Sequence, residues 1–138
     1  RVGSTRSPLW RHGGVVFGPH PRDFSVDVPK KMKNSALKFA LTEKAKANDL
    51  VVIDAIEFKA PKTKEGVALV KKLDCAAAKR VLILVDKMGE DLVRALSNIA
   101  NIAVAPAKDV TTYDILAANK VVITKEGLAQ LTKRVKAG

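Results

Sequence analysis

From residue 50 onward, four short apolar runs recur: Leu50–Ile53 stopping at Asp54, Val81–Val85 at Asp86, Ile102–Ala105 at Pro106 and Val121–Ile123 at Thr124. The runs are continuous, not alternating, which predicts strands covered on both faces, as in a parallel sheet. Between them apolar residues recur at helical spacing. Thr63 is positioned to cap a helix carrying Val67, Val70 and Leu73. Residues 89–98 carry Leu92 and Leu96, with Ile99 following. Thr111 or Thr112 caps a short helix through Ala118, and Thr124 caps a last one with Leu128, Leu131 and Val135 on one stripe. Glu126 in its first turn and Lys133, Arg134 and Lys136 in its last suit the helix dipole. An earlier helix runs from Pro29 to about Ala47 and ends at the Asn48-Asp49 turn. Met32, Ala36, Phe39 and Ala40 are expected to line its inner face, with Leu37 and Leu41 beside them and most of its lysines elsewhere. The pattern predicts an α/β fold, a three-layer sandwich with a mainly parallel four-stranded sheet.

The first 29 residues break the pattern. Gly3, Gly13, Gly14, Gly18, Pro8, Pro19, Pro21 and Pro29 fall there, and prolines at this density exclude a regular helix. Leu9, Trp10, Val15, Val16, Phe17, Phe24 and Val26 nevertheless give the stretch apolar anchors. Charge is concentrated in the same place. The 138-residue chain has a net charge of +11, and residues 1–38 hold Arg1, Arg6, Arg11, Arg22, Lys30, Lys31, Lys33 and Lys38 against Asp23 and Asp27 alone. This predicts an extended basic Gly/Pro-rich arm, residues 1–29, ordered by a partner, ahead of a globular domain at 30–138. No apolar run approaches the roughly 18 residues of a membrane-spanning helix, so no membrane partner is expected. Arg1-Val2-Gly3-Ser4 is no apolar signal region and has no Met, as expected of a processed chain or part of a longer one.

Catalytic chemistry finds little support. A single cysteine, Cys75, excludes a disulfide framework and a multi-cysteine zinc site, and its Asp-Cys-Ala surroundings suit a small buried residue. His12 and His20 lack a carboxylate or cysteine at ligand spacing, so no metal is expected. Asp54 and Asp86 end their strands, where an open α/β sheet places ligands, but a turn or cap role is the favoured reading of both. Gly13-Gly14-Val15-Val16-Phe17-Gly18 precedes the first strand and lacks a following Lys-Ser/Thr, so it is not a phosphate loop. Its glycines permit positive φ or close approach to another backbone. Lys62, Lys64, Lys71 and Lys72 read either as a solvated helix face or as phosphate contacts. The arm is the clearest functional signal. Arg6, Arg11 and Arg22 alternate with Trp10, Phe17 and Phe24, pairing phosphate-bridging guanidinium groups with planes that stack on bases.

Ser7-Pro8-Leu9-Trp10-Arg11-His12-Gly13-Gly14-Val15-Val16-Phe17-Gly18-Pro19-His20-Pro21-Arg22-Asp23 resembles the signature of the bacterial-type large-subunit ribosomal protein four family. Pro29-Lys30-Lys31-Met32, Ala60-Pro61-Lys62-Thr63-Lys64, Thr112-Tyr113-Asp114-Ile115-Leu116 and Lys120-Val121-Val122-Ile123-Thr124 are similar to its later motifs. The resemblance implies a non-enzymatic structural constituent of the large ribosomal subunit, supporting its assembly. The implied partners are large-subunit ribosomal RNA and neighbouring ribosomal proteins, with no cofactor and no small-molecule substrate. Family members have a globular domain outside the subunit and a long loop reaching toward the peptide exit tunnel. Arg1 through Phe24 resembles the returning half of that loop, and an N-terminally incomplete member is expected. The RNA-binding residues so implied are Arg1, Arg6, Trp10, Arg11, His12, Gly13, Gly14, Arg22, Lys30, Lys31, Lys33 and Lys38. Trp10 and Phe17 are expected to anchor the arm. The implied location is a cytoplasmic bacterial ribosome, or an organellar one. Two readings compete: an α/β nucleotide-binding enzyme domain using Asp54 and Asp86, and a regulatory module that binds messenger RNA.

Overall fold

A computed structural model describes residues 3–56, 58, 61–75 and 78–136. The elements follow in the order α1 (Lys30–Lys46), β1 (Leu50–Ile53), α2 (Thr63–Lys72), β2 (Val81–Val85), α3 (Glu90–Leu96), β3 (Ile102–Pro106), α4 (Thr112–Ala117), β4 (Lys120–Thr124) and α5 (Lys125–Lys136). The four strands form one sheet in the order β1-β4-β2-β3, and every pairing is parallel. Side chains alternate across a strand, so the apolar runs feed two cores. Leu82, Leu84, Val121 and Ile123 pack with Leu37 and Ala40 of α1, Ile115 of α4 and Leu131 of α5. Val81, Ile83, Val85 and Val122 pack on the opposite face with Leu92 and Leu96 of α3, Cys75, and Val70 of α2. The sandwich therefore has three layers. Strand β2 is buried throughout, whereas Val52, on the edge strand β1, remains 45% exposed.

Of the residues expected on the inner face of α1, only Ala40 is buried. Met32 is 61% exposed, Phe39 is 72% exposed, and Ala36 is also exposed. Leu37 and Ala40 are buried, with Leu41 and Lys44 half-buried on the same side. These four stand at i, i+3, i+4 and i+7. The Lys44 stem completes the stripe while its ammonium donates to the Ala118 carbonyl at 2.5 Å. Apolar residues surround α1, so its own periodicity does not choose between two stripes.

Helix ends show a second difference. Thr63 does not cap α2: it is already helical, and Lys62 takes the extended N-cap position without a side-chain cap bond. Val67 is 40% exposed, so that helix buries Val70 more fully than Val67. Gly66 faces α3, and a Cβ there would lie 2.9 Å from the Ala95 carbonyl oxygen and from Leu96 Cδ2. Its missing side chain lets the two helices approach. Both α1 and α2 end in Schellman geometry. Asn48 at φ 59° follows α1 and Asp74 at φ 51° follows α2. The Asn48 N–H donates to Ala45 and that of Asp49 to Lys44; Asp74 donates to Lys71 and Cys75 to Val70. Thr124 links β4 to α5 directly, its Oγ1 accepting from the Gly127 N–H at 3.1 Å.

Of the two candidates for the α4 cap, Thr111 takes the role. Its Oγ1 accepts from the Asp114 N–H at 3.2 Å, and an Asp114 carboxylate oxygen accepts from the Thr111 N–H at 3.0 Å. The Thr111 hydroxyl, then the Thr111 N–H, holds the Asp114 carboxyl below its ordinary value. A depressed carboxylate pKa contributes stability that is present above the unfolded value and lost as pH falls through the folded one. Thr111→Ala is expected to destabilise by about 0.5–2 kcal/mol at neutral pH. In urea titrations the gap between wild type and variant should narrow as pH falls below about 4 and through the lowered value; a constant difference would remove the carboxylate from the cap.

Candidate nucleic-acid interface

Residues 3–29 contain no helix or strand, and their front half is not extended. It coils into consecutive turns. The N–H of Ser7 donates to Ser4, Trp10 to Ser7 and Gly13 to Trp10, at 3.0–3.1 Å. The Gly14 N–H then donates back to the Arg6 carbonyl at 2.9 Å, closing the loop. Local polar groups satisfy one another here, which is why this part of the expected arm does not run straight. The closure depends on Gly13. A Cβ there would lie 1.9 Å from the Ser7 carbonyl oxygen and 3.0 Å from that of Trp10. Gly14 is less constrained, its Cβ position being 3.5 Å from the Arg6 oxygen. Of the two uses expected of this pair, close approach to another backbone is the one seen, at Gly13, while a positive φ falls on His12, at 61°, a residue type that tolerates the left-handed region better than most.

The loop presents its chemistry outward. Arg6, Arg11, His12 and Arg22 are exposed, as are Lys30, Lys31, Lys33 and Lys38 of α1, while Gly13 is half-buried. Among the described residues, none of these arginines and lysines is in an ion pair. Arg1 lies outside the described residues. Trp10 is 52% exposed and Phe17 85%, and Leu9, Val15, Val16, Phe24 and Val26 are exposed as well. Among the described residues, the expected apolar anchors are therefore exposed and belong to neither core cluster. The Arg22 guanidinium lies over the Phe24 ring, 4.2 Å from its centroid, a cation–π contact on one face of that ring. Between them Asp23 accepts from the Ser25 N–H and hydroxyl, both at 2.8 Å. Those bonds, the backbone one first, hold the Asp23 carboxyl below its ordinary value.

The start of α1 continues the basic surface. Its N-cap is Pro29, without a side-chain cap bond, and its first turn holds no acid. Lys30, Lys31 and Lys33 thus stand at the positive end of the helix dipole, which disfavours cations and favours an anion. On α2, Lys62, Lys64, Lys71 and Lys72 are exposed along the helix.

The competing enzyme site is not assembled. Asp54 and Asp86 do meet, at the C-terminal edge of the sheet, in an open cleft of about 280 Å³ with Lys87, Thr124 and Glu126. Asp54 is exposed and ion-paired to Lys125. The carboxylates oppose a phosphate, and among the described residues no three His, Cys, Asp or Glu side chains are grouped to hold a metal. Cys75 is 1% exposed, its Sγ 3.2 Å from the Leu73 carbonyl. Burial, more than any nearby charge, pushes its thiol pKa up, the opposite of an activated nucleophile. Among the described residues no helix is long and apolar enough to cross a membrane. Sequence reasoning missed Met32 and Phe39 as surface residues beside the α1 lysines. The available signal was the rival stripe Leu37, Ala40, Leu41 and Lys44.

A family model described as the "Ribosomal protein L4/L1 family" matches residues 1–134. The chain is 43% identical over 131 residues to the "Large ribosomal subunit protein uL4" of Clostridium novyi (strain NT). It is equally similar to proteins of that name from Clostridium botulinum (strain Hall) and Alkaliphilus oremlandii (strain OhILAs). Each alignment covers 95% of this chain and 62% of the relative, so the chain spans about three fifths of the relatives' length. With its family signature and its three-layer body both in place, the chain belongs to the Ribosomal protein L4/L1 family, a family of ribosomal proteins and not of enzymes.

Proposed function

We propose that this chain is a constituent of the large ribosomal subunit that binds its ribosomal RNA, supports assembly and sends residues 1–29 inward toward the exit tunnel. Residues 30–138 form the body that fixes where the arm begins. The observation that carries this reading is the surface of residues 3–29, where among the described residues the arginines are in no ion pair and Trp10, Phe17 and Phe24 are exposed. Exposed apolar residues at this density call for a partner, and unpaired guanidinium groups call for an anionic one.

Arg1, Arg6, Arg11 and Arg22, with Lys30, Lys31, Lys33 and Lys38, neutralise phosphates in this reading. Trp10 and Phe17 anchor on RNA, His12 presents its ring, and Gly13 and Gly14 let the backbone pass close. The A-form helices and loops of ribosomal RNA are recognised by shape and by stacking. Neighbouring ribosomal proteins are further partners, and no cofactor or small-molecule substrate takes part. The curated relatives are bacterial, which favours the cytoplasmic ribosome of a bacterium as the location.

The test is titration of the chain with protein-free large-subunit ribosomal RNA across a salt series. Changing Arg11 and Arg22 to Ala should weaken binding and flatten the log–log salt slope by about one unit per lost contact. An unchanged slope takes both residues out of the interface. Co-sedimentation with large subunits through a high-salt wash checks the wider claim, with one copy per subunit expected.

A further inference from the structure

Among the described residues, the outer face of α1 contributes to neither core cluster. Met32 and Phe39 stand seven residues apart, 61% and 72% exposed, while Leu37 and Ala40 hold the helix to the body. Lys31 and Lys38, also seven apart, lie to one side of them, about 80–120° around the axis, and are exposed. Glu43 is the single acid on α1, and it is paired to Lys46 at 3.3 Å. The face is thus one exposed aromatic ring and one methionine beside unpaired lysines. Two large apolar side chains separated by Ala36 make too small a stripe for a helix-in-groove protein contact. A single aromatic ring beside cations is the arrangement that receives a base of a single-stranded nucleic acid, with its phosphates on the lysines.

We infer that the outer face of α1 is a second RNA contact, in which Phe39 stacks on an unpaired base and Lys31 and Lys38 neutralise the flanking phosphates. Met32 covers the edge of the same base. This rests on the RNA-binding reading above, in which Lys31 and Lys38 already meet phosphates, and adds to it Phe39 as a base-stacking contact on the body. The contact lets the body and the arm grip the RNA independently.

The test compares wild type, Phe39→Ala, Phe39→Trp and Arg11→Ala, as full chains, in titrations with protein-free large-subunit ribosomal RNA. Phe39→Ala should bind about tenfold more weakly, with its salt slope unchanged, because no charge is lost. Phe39→Trp should restore affinity. Thermal melting should be unaffected in both, since the ring touches no core. If Phe39→Ala binds like wild type while Arg11→Ala is weakened, the α1 contact is overturned and the arm reading stands. If wild type itself binds no better than to a polyuridine control, both fall. Ultraviolet cross-linking of the unaltered chain reads the same question without substitution. A nucleotide adduct on the tryptic peptide of residues 39–44 is expected; adducts confined to residues 3–29 would overturn the proposal.

Discussion

Replacing Ile123 with Ala is expected to lower the unfolding free energy by about 2–5 kcal/mol, a large fraction of the roughly 5–15 kcal/mol that holds a domain of this kind folded. Ile123 is fully buried on β4, between β1 and β2, and faces the layer made by α1, α4 and α5. Removing its outer carbons leaves a cavity between helices that other contacts hold in place, so collapse around the gap is incomplete. Val52 is the internal control. It pairs with Ile123 in the β1–β4 register, but its side chain is 45% exposed at the sheet edge. Val52→Ala should cost under about 1 kcal/mol, because little apolar surface returns to water. Urea midpoints for the two variants decide the matter. Equal losses would mean that β4 is not the covered strand.

Gly13→Ala is expected to weaken binding to large-subunit ribosomal RNA roughly a hundredfold, the loss of about two charge-assisted contacts at about 1.5 kcal/mol each. The added methyl group cannot sit 1.9 Å from the Ser7 carbonyl oxygen. The turn must open, giving up the Gly13–Trp10 and Gly14–Arg6 hydrogen bonds. Trp10, Arg11 and His12 lie inside that loop, so their relative directions are lost together. Thermal melting should not change, since among the described residues the loop's hydrogen bonds stay within residues 4–14. Gly14→Ala separates sterics from chain flexibility. Its Cβ position meets the Arg6 oxygen at an ordinary 3.5 Å, so its RNA affinity should stay within about threefold of wild type. If both alanines weaken binding alike, the loop closure is not what orients the contacts. If neither does, the loop is not part of the interface.

Much of the candidate site was legible in the chain because charge and apolarity are properties of local composition. Arg6, Arg11 and Arg22 stand out against a stretch with only Asp23 and Asp27, and the structure leaves those arginines exposed. What Trp10 and Phe17 anchor on was not legible, because an apolar residue in a sequence does not declare whether its partner is its own chain or another molecule; the structure leaves both exposed. The turned conformation of residues 4–14 was half legible: Gly13 and Gly14 signal a tight passage. Which of them is crowded, and that His12 takes the positive φ, depends on where the Ser7 carbonyl falls in space. The Thr63 cap failed for a similar reason. Any of several polar residues before an apolar run satisfies the pattern, and the first bond of the helix selects Lys62.

By itself the sequence determined the kinds of elements and their order. Four uninterrupted apolar runs between helical segments allow little but a parallel sheet covered on both sides, because alternate side chains of each strand must find apolar neighbours. It also determined the basic front of the chain, since no packing adds or removes charge. Only the tertiary structure decided that β4, the last strand in the chain, lies inside the sheet and β1 at its edge. Leu50–Ile53 and Val121–Ile123 are locally alike, and the difference arises from which arrangement buries the most surface once all helices are in place. The same holds for α1. Two stripes on that helix are apolar enough to face a core, and the positions of Ile115 on α4 and Leu131 on α5 bury Leu37 and Ala40, leaving Phe39 among the lysines.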